Sequence, residues 1–161
     1  MTNVFFITGA EGAGNSSILK LLHSLGPDFD VHDFDETGVP DNPPLQWRLD
    51  TTDYWLKLAA KNAKKKVSTI VSGLSFPSEI KKSPSFKYAP NVFFCLLDVS
   101  ESERRKRLKK RGASKDVISD LNQLHSLRNE FKNCSNCFVI DTNDKEIEEV
   151  AKKVASWIKK I

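Results

Sequence analysis

Short apolar runs alternate with longer amphipathic stretches along the whole chain. The apolar runs have the length and the β-branched or aromatic content of buried strands, and they cover residues 4–8, 31–34, 67–72, 91–98 and 137–141. Most of them are continuously apolar rather than alternating, which indicates a sheet that is covered on both faces.

The segments between these runs carry apolar residues at helical spacing. Helices are predicted over residues 15–25, from Leu45 or Asp50 to Lys66, over 100–111, within 113–132 and over 144–161. Residues 73–90 contain three prolines and are predicted to be a loop. Strands that alternate with helices predict an α/β fold, a five-stranded parallel sheet with helices on both faces. Because neither an internal repeat nor a linker is visible, residues 1–161 are predicted to form a single domain.

Composition narrows the class of protein. The chain has 161 residues, which is enough for one sizeable core, and no apolar run reaches the roughly 18 residues that span a bilayer. We therefore expect no membrane partner. The first residues lack a basic region before the apolar run, and three cysteines cannot form a disulfide framework, so a cytoplasmic location is expected. Cys134 and Cys137 are interpreted as two unconnected thiols, because a zinc site needs two further ligands.

A glycine-rich loop follows the first strand. It runs from Gly9 to Ser16 with the sequence GAEGAGNS and leads into a predicted helix. Glycines allow a backbone to curl so that its N–H groups point inward, and such a nest at a helix N-terminus binds phosphate. The Ser16 hydroxyl is placed to bind Mg²⁺. A tight strand-to-helix turn without a ligand is the alternative interpretation. The predicted nucleotide-binding residues are Gly9, Gly12, Ala13, Gly14, Asn15, Ser16 and Ser17.

Carboxylates lie at the end of the second predicted strand. Asp33 and Asp35 alternate with Phe34, so both point the same way if the strand continues. Ligands of parallel sheets bind at the carboxyl ends of the strands. Such a pair can hold Mg²⁺ and accept a proton from an attacking hydroxyl, so Asp33 and Asp35 are candidate catalytic residues, with Ser16 and Asp33 as candidate metal ligands. A solvated acidic turn is the alternative.

A basic segment occupies most of the third predicted helix, residues 100–111. Seven of the eight residues from Arg104 to Arg111 are basic, and Arg104, Arg107 and Arg111 share one side of a helix. The planar guanidinium matches phosphate oxygens, so Arg107 and Arg111 are candidate catalytic residues. A solvated face, paired with Glu101 and Glu103, is the alternative. Nucleic acid is a disfavoured partner, because no aromatic residues interleave with the basic ones and the net charge is only +4.

Together, these segments resemble P-loop kinases of small molecules, such as shikimate kinase, gluconate kinase and the nucleotide kinases. The loop is similar to their Walker A motif, except that Asn15 stands where the motif has lysine. The resemblance implies that Asp33 and Asp35 serve the Mg²⁺ and the acceptor, and that an arginine near Arg107 or Arg111 reaches the transferring phosphate. It also implies an acceptor site near Ser72-Gly73, with Arg48 beside it, and a base site near Thr142 or Asn143, although Asn143 or Asp144 as a helix N-cap explains the same residues.

Two functions are consistent with this sequence. The first is phosphoryl transfer from ATP or GTP, with Mg²⁺, to a small-molecule or nucleotide acceptor. The second is nucleotide binding by a degenerate kinase with a sensing or regulatory role, because Asn15 cannot supply the charge of the motif's lysine.

Overall fold

The computed structural model describes residues 1–161 and contains one sheet. Its five strands are all parallel, in the order β2-β3-β1-β4-β5. They are β1 (Asn3–Thr8), β2 (Phe29–Asp33), β3 (Ser68–Ser72), β4 (Asn91–Asp98) and β5 (Cys137–Asp141). The central strand β1 pairs with β3 and β4, so its carboxyl end lies between theirs. All five predicted strands are present.

Seven helices connect and cover these strands. They are α1 (Leu19–Leu22), α2 (Leu45–Ala63), α3 (Pro77–Lys82), α4 (Glu101–Lys110), α5 (Lys115–Ser119), α6 (Asn122–Phe131) and α7 (Ile147–Lys159). None of the helices combines the length and the apolar character needed to cross a membrane.

Each face of the sheet carries an apolar layer, because successive residues of a strand point to opposite sides. Phe5 and Ile7 of β1 pack in the layer that includes Ile18 and residues of α7. Val4 and Phe6 pack in the other layer, together with Trp55 of α2. Covering of both faces explains why the strands are continuously apolar.

Three predictions about the helices and loops were wrong. The segment 73–90 contains α3, which begins at Pro77 and buries Ile80. The segment 113–132 forms two helices, because Asp120 leaves the helical conformation and its carboxylate accepts the Asn122 N–H at 2.9 Å. The third difference, at α1, affects the site and is described below.

The two C-terminal cysteines also differ from the expectation. Cys134 and Cys137 are disulfide-bonded rather than unconnected. The chain turns between α6 and β5, and this turn brings the two Cα atoms to 5.4 Å, within the range that a disulfide requires. Cys95 is buried in the core as a free thiol.

Candidate functional site

The glycine-rich loop lies where the sheet topology places ligands, at the carboxyl end of the central strand. Gly9 is required by close approach, because a Cβ there would lie 2.8 Å from the Leu97 carbonyl oxygen and 2.7 Å from the Ala13 Cβ. Gly12 and Gly14 have φ angles of +90° and +105°, which other residues rarely adopt. The spacing of the glycines therefore follows from the curl of the loop.

Several main-chain N–H groups of this loop have no acceptor within the protein. The Ala13 N–H bonds the Ala10 carbonyl at 2.9 Å and closes the curl. The groups left without an acceptor include those of Gly12, Gly14, Asn15, Ser16 and Ser17. Consecutive unpaired N–H groups in a loop form a concavity suited to an anion. The loop therefore fits a polyphosphate.

Asn15 is folded back onto the loop. Its Nδ2 donates a 2.7 Å hydrogen bond to the Gly9 carbonyl, while its Oδ1 is buried without a partner. Its own carbonyl accepts a 2.7 Å bond from the Ser72 hydroxyl of β3. These bonds hold Asn15 outside a regular helix, and α1 begins only at Leu19. The predicted helix N-terminus at the loop is therefore absent, and the free N–H groups remain as the anion-binding feature.

The acidic strand end lies directly beside the loop. The Ser16 hydroxyl donates to Asp33 Oδ2 at 3.3 Å, which joins the two predicted metal ligands. A hydroxyl and a carboxylate oxygen match the oxygen ligands of Mg²⁺, which commonly takes one or two carboxylates together with phosphate oxygens. The structure has no group of three or more His, Cys, Asp or Glu side chains that could hold a metal ion by themselves, so phosphate oxygens would have to complete the ligand set.

The strand geometry under which Asp33 and Asp35 would point the same way does not extend to Asp35. β2 ends at Asp33, whose Oδ1 accepts the Asp35 N–H at 2.9 Å and so starts a 3-10 turn. The Glu36 carboxylate accepts the Asp33 N–H at 3.1 Å and completes this capping box. Asp33 and Asp35 nevertheless line the same cavity. Burial, and then the nearby Asp33 charge, raises the pKa of the Asp35 carboxyl.

Two cavities flank the loop. The first has a volume of about 630 Å³ and extends from Ser16, Asp33 and Asp35 to the wall formed by Trp47 and Arg48. The second, of about 600 Å³, lies between the loop, α4 and the segment from Thr142 to Val150. Gly12, Gly14, Ser17 and Arg111 line both cavities. An anion held by the loop N–H groups would therefore contact both spaces.

The wall of the first cavity is held by residues that are distant in sequence. Arg48 donates two hydrogen bonds to the Glu79 carboxylate, at 2.8 and 2.6 Å, and lies over the Phe76 ring. The Trp47 indole N–H bonds the Gly38 carbonyl at 3.1 Å. At Gly73, a Cβ would lie 2.4 Å from the Phe34 Cβ, so glycine lets β3 pass close to the turn that carries Asp35.

The three arginines that were predicted to share one side of this helix, two in α4 and Arg111 just after it, have different environments. Arg104 is buried and donates to the carbonyls of Glu11, Ile118 and Val117. Arg107 donates to the Glu103 carboxylate, to the Gly12 carbonyl and to both oxygens of Thr142. The Arg111 side chain is 60% exposed and makes no hydrogen bond, and its Nη2 lies 3.9 Å from Glu11 Oε1.

The predicted nucleotide-binding residues also differ in position. Gly9 lines neither cavity, whereas Ala13 lines the second. Thr142 lines the second cavity, with its hydroxyl bonded to Arg107 and to the Asp98 carbonyl. Neither Asn143 nor Asp144 caps α7, because that helix starts from Glu146 and has no side-chain cap.

The sequence analysis did not predict the roles of four side chains at this site. Glu11 and Gln123 border the first cavity, Arg104 supports the loop from beneath, and Glu79 holds Arg48. Gln123 Oε1 accepts the Glu11 N–H from 112 residues further along the chain. No local pattern signals a contact at such a distance. Arg104 does have a local signal, because it lies four residues before Leu108, so the two side chains share one side of α4.

The comparisons with known proteins report a shared fold. No family model and no curated protein sequence matches this chain. An unliganded sugar kinase from Janibacter sp. HTCC2649 matches with a TM-score of 0.73 at 16% identity, over 99% of this chain and 95% of the kinase. The tunicamycin resistance protein of Deinococcus radiodurans matches with a TM-score of 0.65 at 18% identity, over 98% and 96% of the two chains.

A shikimate kinase from Acinetobacter baumannii, solved with shikimate, matches with a TM-score of 0.59 at 17% identity, over 99% of this chain and 94% of the kinase. Identities this low establish the fold alone. The predicted fold class is confirmed: the chain has the α/β fold of the P-loop kinases, a five-stranded parallel sheet with helices on both faces.

Proposed function

We propose that this protein binds ATP or GTP with Mg²⁺ at the glycine-rich loop and transfers a phosphoryl group to a small-molecule or nucleotide acceptor. One observation carries the proposal. The Ser16 hydroxyl meets the Asp33 carboxylate at 3.3 Å in the first cavity, beside unpaired N–H groups of a loop that borders both cavities. An anion site, a pair of metal-ligating oxygens and two separate spaces are what a kinase needs for its donor and its acceptor.

The proposed roles follow from the placement of each group. The N–H groups of Gly12, Gly14, Asn15, Ser16 and Ser17 would hold the phosphates, with the base in the second cavity. Ser16 and Asp33 would hold Mg²⁺, which neutralises charge on the phosphates when bound.

The first cavity would take the acceptor. Asp35 lies at its edge with a raised pKa, so it is a better proton acceptor than an ordinary aspartate. Asp35 would orient the acceptor hydroxyl and receive its proton. Arg48, held by Glu79, and Trp47 would form the opposite wall, where a donor group and an aromatic face suit a compact hydroxylated compound.

The experiment is a calorimetric titration with ADP and ATP, with and without Mg²⁺. We expect Mg²⁺ to tighten ATP binding to the native protein and to Asp28→Asn, which removes the same charge at the opposite end of β2. In Asp33→Asn this tightening should fall by roughly 10- to 100-fold, as for other lost partners of a bound metal. Absence of binding at millimolar nucleotide would contradict the proposal.

A nucleotide-binding protein without transfer activity is the second candidate. It is favoured by the Asn15 side chain, which bonds Gly9 and brings no charge to the phosphates. A screen of metabolites for phosphorylated product separates the two candidates. In a working kinase Asn15→Lys should change activity little, whereas in a degenerate kinase the added ammonium should raise nucleotide affinity or hydrolysis.

A further inference from the structure

Of the three arginines that share one side of the α4 segment, Arg111, which follows the last residue of the helix, differs in that its guanidinium makes no hydrogen bond. Arg107 makes four hydrogen bonds and Arg104 makes three, all to protein oxygens. Arg111 makes none, its side chain is 60% exposed, and it lines both cavities. It is therefore free to contact an anion that bridges the two spaces.

The fold presents Arg111 at a fixed place relative to the loop. Arg104 bonds the Glu11 carbonyl at 2.9 Å, and Arg107 bonds the Gly12 carbonyl at 3.4 Å. The loop also packs on the helix, since a Cβ at Gly12 would lie 3.1 Å from the Leu108 Cγ. The loop and α4 are thus tied together over about one turn of the helix, from Arg104 to Leu108, and Arg111 follows at the end of the helix.

Glu11 projects from the same loop toward Arg111. Its main chain is anchored on both sides, by Gln123 at the N–H and by Arg104 at the carbonyl. Its carboxylate is 46% exposed, and one of its oxygens lies 3.9 Å from Arg111 Nη2. A pair at this distance is loose and screened, so a ligand of higher charge can displace it.

We propose that Glu11 and Arg111 form a charge latch. By this we mean an ion pair at the edge shared by the two cavities. An incoming polyphosphate breaks the pair and binds the Arg111 guanidinium in place of the Glu11 carboxylate. The inference rests on the proposed function, because the anion is the polyphosphate of the nucleotide. The carboxylate competes with that anion for the guanidinium. The native protein therefore binds polyphosphate more weakly than the loop and Arg111 would without Glu11.

The test is a double-mutant cycle with inorganic pyrophosphate as the probe, measured by calorimetry at low ionic strength. Glu11→Gln keeps the size of the side chain and removes its charge. It should tighten pyrophosphate binding roughly two- to fivefold, the range that corresponds to an exposed ion pair. Arg111→Gln should weaken binding. In the Arg111→Gln background, Glu11→Gln should have a clearly smaller effect, because no guanidinium remains to be released.

Glu148→Gln is the matched control, since it removes one exposed carboxylate on α7 and should leave the affinity unchanged. Thermal unfolding of each variant checks that the loop remains anchored. If Glu11→Gln raises the affinity for pyrophosphate equally in both backgrounds, Glu11 acts only by charge repulsion and the latch is overturned. The latch is also overturned if Glu11→Gln leaves the affinity of the native background unchanged or lowers it.

The same data separate the two proposals. If ATP binds and the cycle shows no coupling, the latch is wrong and the proposed function stands. If pyrophosphate shows the coupling while ATP and GTP do not bind better than pyrophosphate, the latch is supported and the nucleotide function is wrong. If no variant binds pyrophosphate or nucleotide, both proposals are overturned.

Discussion

Asn15 Nδ2 and the Gly9 carbonyl oxygen lie 2.7 Å apart, so the side chain near the end of the glycine-rich loop bonds its first residue. In the motif that this loop resembles, the same position carries a cation. Here the side chain bonds the loop itself and brings no charge. Arg111, which lines both cavities and makes no hydrogen bond, is a positive charge beside the loop.

Asn15→Ala tests whether this hydrogen bond supports the loop. We expect it to lower the free energy of unfolding by about 0.5–1.5 kcal/mol, because the Gly9 carbonyl loses its partner. Chemical denaturation measures the change. The control Asn133→Ala alters an exposed asparagine between α6 and β5 and should have little effect. Equal stability of the two variants would show that the bond is dispensable.

Gly73→Ala tests the close approach of β3 to the acidic turn. The added Cβ would lie 2.4 Å from the Phe34 Cβ, and overpacking of this kind costs about 1–3 kcal/mol. Gly38→Ala is the matched control, because Gly38 also has a positive φ, of +98°, but has open space around it. The denaturation midpoint should fall further for Gly73→Ala, and similar losses would exclude the clash as the cause.

Arg107→Lys tests whether the Arg107 guanidinium supports the fold through its hydrogen bonds or is available to bind phosphate. Lysine keeps the charge but cannot make the four bonds that join Glu103, Gly12 and Thr142. We expect a loss of about 1.5–3 kcal/mol in the free energy of unfolding without any ligand. Arg105→Lys, on the exposed side of α4, should be neutral. If Arg107→Lys is as stable as that control, its hydrogen bonds do not support the fold.

The lowered pKa of the Asp53 carboxyl leads us to expect that the free energy of unfolding depends on pH. Burial acts to raise the pKa of its carboxyl, but hydrogen bonds from Lys57, Ser85 and Ser83 outweigh burial and hold the pKa well below 3.8. A lowered pKa in the folded state adds stability above the unfolded value of 3.8. That stability is lost as the pH falls through and below this value.

The comparison of native protein with Asp53→Asn over a range of pH measures this contribution. The difference in free energy of unfolding should be largest near neutral pH and should shrink as the pH falls below 4. A difference that stays constant across this range would mean that the carboxylate charge does not act as described.

The site was partly predictable from local pattern. The loop and the carboxylates follow apolar strands, and the carboxyl ends of parallel strands meet at one edge of the sheet. Their juxtaposition could therefore be expected, and Ser16 does contact Asp33. The position of Asp35 could not, because the capping box of Asp33 and Glu36 competes with strand geometry and ends β2.

The helix after the loop shows why a periodic pattern is not sufficient. Ile18, Leu21 and Leu22 have helical spacing, and Ile18 and Leu22 are buried. The Asn15 carbonyl accepts the Ser72 hydroxyl of β3 instead of a helical N–H, and the helix starts only at Leu19. The partner of that carbonyl is 57 residues away, so the sequence around Asn15 carries no sign of it.

The sequence alone determined the sheet and its covering helices, because strands that are buried on both faces must be continuously apolar. It also determined the curl of the loop, because positive φ angles and close approach of the backbone require glycine. Tertiary structure decided how each charge is used. Arg104, Arg107 and Arg111 have the same side chain and the same helical spacing, yet oxygens from distant segments bind the first two and leave the third exposed beside Glu11. Whether a guanidinium is hydrogen-bonded within the protein depends on which carbonyls and carboxylates the folded chain brings within hydrogen-bond distance. Those contacts join segments that are far apart in the sequence, so only the tertiary structure decides them.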